Sequence, residues 1–114
     1  MSSAEVKYLL TIFNLSFGKQ GVRPVDIADE LEYSRASVSK MVDNLQYQGI
    51  LTRNKDKSVS FTQKGEVVAQ KYCNAFCKVK NFLIKTFDCH ENVATKDSIK
   101  IISVLSEQII NKLV

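Results

Sequence analysis

Breakers of regular structure are scarce in this chain. One proline and four glycines stand among 114 residues, which excludes an architecture of many short strands and favours long helices. There is one histidine, His90, and no phosphate-binding glycine loop or nucleophile–base spacing beside it. An enzyme therefore has little to be built from. No apolar run is long enough to span a membrane; Tyr8–Leu15, the strongest early one, is broken by Thr11 and Asn14. Met1–Leu10 lacks the basic start and clean apolar stretch of a signal peptide. The three cysteines are odd in number and show no Cys-x-x-Cys spacing, as expected of reduced thiols in the cytoplasm. No small-molecule substrate, cofactor or membrane partner is indicated.

What is present suits one mainly α domain, or one domain with a short arm. The net charge is +4 and the pI about 9.0, which permits an anionic partner, so the placement of the charge matters more than its sum. Ser3–Phe17 carries helical periodicity through Leu9, Ile12 and Phe13, and Gly18 to Gly21 ends it. Arg23–Glu32 is a second helix, with Pro24 at its first position and Ile27, Ala28 and Leu31 facing inward. Ser34 caps a third helix, Ser34–Gln46, in which Val38, Met41, Val42 and Leu45 recur at inward spacing. Ile50–Arg53 and Val59–Thr62 flank the polar turn Asn54–Ser58 as a β-hairpin. Thr62 then caps a helix from about Gln63 to Thr86. A polar loop, Phe87–Ala94, precedes a last helix over Lys96–Leu113, capped by Thr95.

Two helices joined by three residues, followed by a basic hairpin, describe a winged helix-turn-helix. Ala28 is small where the third helix must approach. The turn position often held by glycine is Glu32 or Tyr33 here, which predicts a slightly longer or tilted turn. The third helix leaves Arg35, Ala36, Ser37, Ser39 and Lys40 outward. A major groove admits one helix, whose first residues reach base edges: arginine bridges guanine, alanine meets a thymine methyl, serine pairs with base or phosphate. The hairpin carries Arg53, Lys55 and Lys57 for phosphates. Each feature has a blander explanation in a solvated polar face or turn. Their adjacency favours a double-stranded DNA reader over a winged-helix protein–protein interaction module, the alternative function class.

The stretches Pro24 to Leu31, Ser37 to Val42, and Leu45 with Gly49-Ile-Leu51 resemble the iron- and manganese-dependent transcriptional repressors of the diphtheria toxin repressor type. Tyr8 to Phe13 and Phe61-Thr-Gln-Lys-Gly65 fit in the same order; that last motif is shared with MarR-type regulators. The resemblance covers roughly Ala4–Lys85. It implies a bacterial, homodimeric regulator of transcription that reads a palindromic operator under control of a divalent metal. The family's ligand positions fall here on Lys7, Leu10, Phe76, Ile99, Ile102 and Ser103. A cation, apolar side chains and a serine do not hold iron or manganese, so the expectation is no metal cofactor and loss of the family's gating.

Two further expectations concern the second half. Cys73 and Cys77 share a helix face and Cys89-His90 follow, which leaves a substitute zinc or redox site open beside the plainer reading of packed thiols. Ile99, Ile101, Ile102, Val104, Leu105, Ile109, Ile110, Leu113 and Val114 make a stripe too wide for one buried face. The division expected is a DNA-binding domain over 1–64 and a helical dimerisation region over 65–114, the latter pairing through a two-fold interface.

Overall fold

A computed structural model describes residues 1–114. Six helices and one hairpin follow in the order α1 (Ser3–Leu15), α2 (Pro24–Leu31), α3 (Arg35–Tyr47), β1 (Leu51–Arg53), β2 (Val59–Phe61), α4 (Gln63–Phe87), α5 (Glu91–Val104) and α6 (Glu107–Leu113). The architecture is the mainly α winged helix-turn-helix that the pattern of caps and apolar periods predicts. No helix is long and apolar enough to cross a membrane. Contacts divide the chain into two compact units, Thr11–Ala69 and Met1–Leu10 with Gln70–Val114.

In the unit Thr11–Ala69, the inward stripes are buried as their spacing requires. Ile27 and Ala28 of α2 and Val38, Val42 and Leu45 of α3 are out of solvent, while Met41 is half-buried at the edge. The turn between α2 and α3 keeps three residues. Glu32 takes the left-handed conformation itself, at φ 57 and ψ 38, and its N–H and that of Tyr33 close back on Asp29 and Ala28. A glycine would do this without strain; glutamate there costs about 1 kcal/mol.

The hairpin is antiparallel, with Leu51 opposite Phe61 and Arg53 opposite Val59. It has a third partner that no alternation in the sequence announces. The N–H of Val22 donates to the Val59 carbonyl and the reverse bond also forms, each at 2.8 Å. Val22, Leu51 and Val59 bury their side chains, which anchors the wing to the start of α2.

The Phe-Thr-x-Lys-Gly motif has a local physical basis. Gly49, at φ +77, ends α3 and lets the Ile50 N–H return to the Leu45 carbonyl at 2.9 Å. The Thr62 hydroxyl donates to the Gly49 carbonyl and accepts from the Gly65 N–H, and so caps α4. Lys64 donates to the Gln48 carbonyl at 2.9 Å, a cation on the C-terminal end of α3. Gly65 allows α4 to pass directly over the Ile50 carbonyl.

The unit formed by Met1–Leu10 and Gln70–Val114 differs from expectation at its end. The single helix over Lys96–Leu113 is two helices. Leu105 is extended at ψ 147, and Ser106 caps α6 by accepting from the Ile109 N–H. The apolar run reads straight through this break, because a serine cap followed by Glu107 was outweighed by the isoleucines around it. α5 also begins earlier than Thr95. His90 is its cap, with Nδ1 accepting from the Asn92 N–H at 3.1 Å. Histidine is an unusual cap, so the segment looked like loop.

Two ion pairs tie these helices to α4. Lys80 meets Glu91 at 2.8 Å. Glu107 receives Lys71 at 2.7 Å and the Tyr72 hydroxyl at 2.6 Å. Lys71 and Tyr72 hold the Glu107 carboxyl below its ordinary range, while burial and Glu107 push the Tyr72 phenol up. A lowered carboxyl stabilises the fold above its unfolded value, near 4.5, and that contribution disappears as pH falls through the lower folded value. The pair is half-exposed, so the gain is small. Glu107→Gln should flatten the acid limb of a melting-temperature profile; an unchanged limb would exclude this role.

Candidate nucleic-acid interface

The first turn of α3 is built to present donors. Ser34 has extended backbone, accepts from the Ser37 N–H at 3.1 Å and donates to the Ser37 hydroxyl at 2.9 Å. No acidic residue lies in that turn. The positive end of the helix therefore faces outward without a competing carboxylate, as an anion-binding turn requires. Arg35, Ala36, Ser37, Ser39 and Lys40 are all exposed. Arg35 and Lys40 make no ion pair, so both cations are available.

The wing tip is organised by its own polar side chains. Asn54 donates to the Ser58 and Ser60 hydroxyls, each at 2.9 Å. Asp56 turns back to accept from the N–H and the hydroxyl of Ser58, which hold its carboxyl below the usual range. One oxygen of the acidic group at the tip is thus engaged within the turn. Lys55 and Lys57 are exposed and unpaired, and Lys57 sits at φ 69 in the turn. Of the three wing cations expected to meet phosphates, only Arg53 lies on a strand, at the end of β1. The two lysines are turn residues, and their direction is set by the turn instead.

Arg53 stands apart from them. Its guanidinium meets Asp43 of α3 at 3.1 Å. Sequence spacing could not show this contact, because it depends on how the hairpin lies against the helix. A further cation was also missed. Arg23, at the start of α2, forms a two-bond pair with Asp26 and shares with Lys55 the border of a hollow of about 530 Å3 beside the wing. Its proximity to the wing follows from the Val22–Val59 bridge, which had no sequence signal.

The cysteines and the histidine do not gather. Cys73 is buried and its thiol is pushed up to about 12, mainly by burial and secondly by Cys77. Cys77 is exposed, and the Cys89 thiol donates to the Leu83 carbonyl at 3.6 Å. His90 is engaged as a cap. No three His, Cys, Asp or Glu side chains are grouped so as to hold a metal ion.

Comparisons with known proteins agree with this geometry. Residues 1–59 match the family described as iron dependent repressor, N-terminal DNA binding domain. Among solved structures, the hypothetical protein SSo2273 from Sulfolobus solfataricus is 26% identical with a TM-score of 0.61, covering 99% of this chain and 86% of its own. IdeR from T. acidophilum is 18% identical with a TM-score of 0.79, over 95% of this chain and 51% of its own. The metal-dependent transcriptional regulator MtsR is 18% identical with a TM-score of 0.76, over 99% and 53%. The chain thus spans about half the length of the last two, and their likeness is one of fold. No curated protein matches the sequence.

Proposed function

The chain belongs to the iron dependent repressor family and carries its DNA-binding domain, and on that premise we propose that it is a dimeric repressor that reads a palindromic operator without the family's metal gate. It is a regulator of transcription and not an enzyme. In the proposed complex α3 enters the major groove. Arg35, Ala36, Ser37, Ser39 and Lys40 reach bases or anchor the helix, and Lys55 and Lys57 hold phosphates. The observation that carries this reading is an α3 whose first turn is exposed and holds no acidic residue, together with a wing tip whose lysines are unpaired and whose carboxylate is bonded to Ser58.

The metal gate is tested by the donor set. At the family's ligand positions, Leu10, Phe76 and Ile102 are packed out of solvent, at 1%, 3% and 0% exposure, and Lys7 brings an ammonium group. These residues do not fit iron or manganese, which need carboxylate, imidazole or thiolate donors. The second half supports dimerisation. Ile102, Ile110, Cys73 and Phe76 are consumed inside the chain, yet Phe82, Phe87, Val104 and Ile109 stay exposed. Residues 65–114 serve as the pairing region in this proposal, and the chain works in the cytoplasm.

Selection of bound duplexes from a random pool tests the whole reading. A palindromic motif should emerge, unchanged in chelator and in added manganese, iron or zinc. Recovery only in the presence of metal would overturn the ungated version. Failure to recover any duplex would favour a protein-docking role for the same fold.

A further inference from the structure

The outward face of α3 carries one carboxylate where a groove-binding helix has most reason to avoid it. Asp43 lies one turn after Ser39 and Lys40 and two turns after Ala36, on the stripe that would face the bases. Its side chain is 67% exposed. Alone, it would be repelled by the phosphates on both sides of a groove. Arg53 reduces that penalty. Its Nη2 donates to Asp43 Oδ1 at 3.1 Å across from β1, which pairs the carboxylate with a cation and favours one orientation, while Oδ2 is left to accept another bond.

We propose that Asp43 reads the exocyclic amino group of a cytosine in the major groove and that Arg53 is its positioning residue. A carboxylate can only accept. Cytosine presents its N4 amino group as a donor, whereas guanine presents N7 and O6 and thymine presents O4, all acceptors. Adenine sets the acceptor N7 beside its amino group, which a carboxylate meets poorly. Cytosine is the base that fits. Arg53, one of three cations in the wing region, acts through Asp43 and not on phosphate. This inference rests on the reading that α3 enters the major groove.

The test is duplex selection with the full chain and with Asp43→Ala, Asp43→Asn, Arg53→Ala and the Asp43→Ala/Arg53→Ala double variant, followed by affinity measurements on the selected site. Both side chains are at the surface, and far-ultraviolet circular dichroism checks folding. The unaltered chain should select a cytosine at one position of each half-site. Asp43→Ala should lose that preference by roughly tenfold and keep the others. Asp43→Asn should move it towards adenine, which an amide pairs in two bonds. Arg53→Ala should weaken binding in the original background and cost nothing more in the Asp43→Ala background. The proposal is overturned if Asp43→Ala selects the unaltered motif, or if Arg53→Ala costs the same in both backgrounds, as a phosphate anchor would. If the unaltered chain selects no motif, the DNA-reading proposal itself fails, and that outcome is distinct because no variant is needed to see it.

Discussion

Gly65→Ala should destabilise the chain by roughly 3 kcal/mol, and lower its melting temperature by on the order of 10 °C. The sign is opposite to the usual one. Gly65 is the third residue of α4, and alanine in a helix is ordinarily better than glycine by about 1 kcal/mol. Here an added Cβ would sit 2.0 Å from the Ile50 carbonyl oxygen and 2.9 Å from its carbon. Those are backbone atoms, so no rotamer change can relieve the overlap. Nor can the carbonyl swing aside cheaply. Ile50 is held through its N–H to Leu45, and its oxygen accepts from the Thr62 N–H at 3.0 Å. Moving it would loosen the end of α3, the cap of α4 and the root of the wing together. Gly18→Ala provides the contrast. Its φ is +72, but nothing lies within 4 Å of an added Cβ, so only the backbone penalty of about 1 kcal/mol applies. Thermal melts of both variants decide the matter; a Gly65→Ala chain as stable as the original would show that the crossing is not tight.

Much of this fold was legible because its signals are local. Pro24 at a first helical position, Ser34 as a cap three residues past Leu31, and Thr62 before α4 each mark a boundary by hydrogen-bond chemistry that the structure repeats. Burial of Val38, Val42 and Leu45 follows from spacing alone. The features that escaped are those in which a local signal is weak or absent. Val22 joins the hairpin as a single bridged residue, with no alternating run to betray it. His90 caps α5 with a ring nitrogen, a role more common for serine or aspartate. Leu105 and Ser106 break a helix inside an isoleucine-rich stretch whose apolar period continues across the break. At the candidate interface the exposed face of α3 was readable from the residues left over after packing. The Asp43–Arg53 contact was not, because it joins positions ten apart through the placement of two elements. That placement is fixed by Gly49, Thr62, Lys64 and Gly65, which the sequence displays as a motif without displaying what the motif holds.

Raising salt from about 50 to 200 mM should weaken duplex binding by the proposed dimer on the order of a thousandfold. Four cations per chain are exposed and unpaired on the proposed interface: Arg35, Lys40, Lys55 and Lys57. Two chains therefore bring eight positive groups; with the two Arg35 side chains on base edges, about six are left for phosphates, and each phosphate neutralised releases condensed counterions, with a logarithmic slope of about 0.9 per contact. Arg53 is left out of that count because it is paired with Asp43. The identity of each cation sets what its loss should do. Lys55→Ala with Lys57→Ala removes charge at the wing tip, so binding should fall by a similar factor on every duplex and the salt slope should become shallower. Arg35→Ala removes a group that can bridge guanine, so base preference at one position of each half-site should relax while the slope changes little. Affinities measured across a salt series for these variants separate the two roles. A slope that does not respond to loss of both wing lysines would mean that the wing stays clear of the phosphates. The bulk charge of +4 would not predict a steep salt dependence. The local arrangement does, because Asp26, Asp43 and Asp56 are each bonded to a neighbour and none of them pairs with Arg35, Lys40, Lys55 or Lys57.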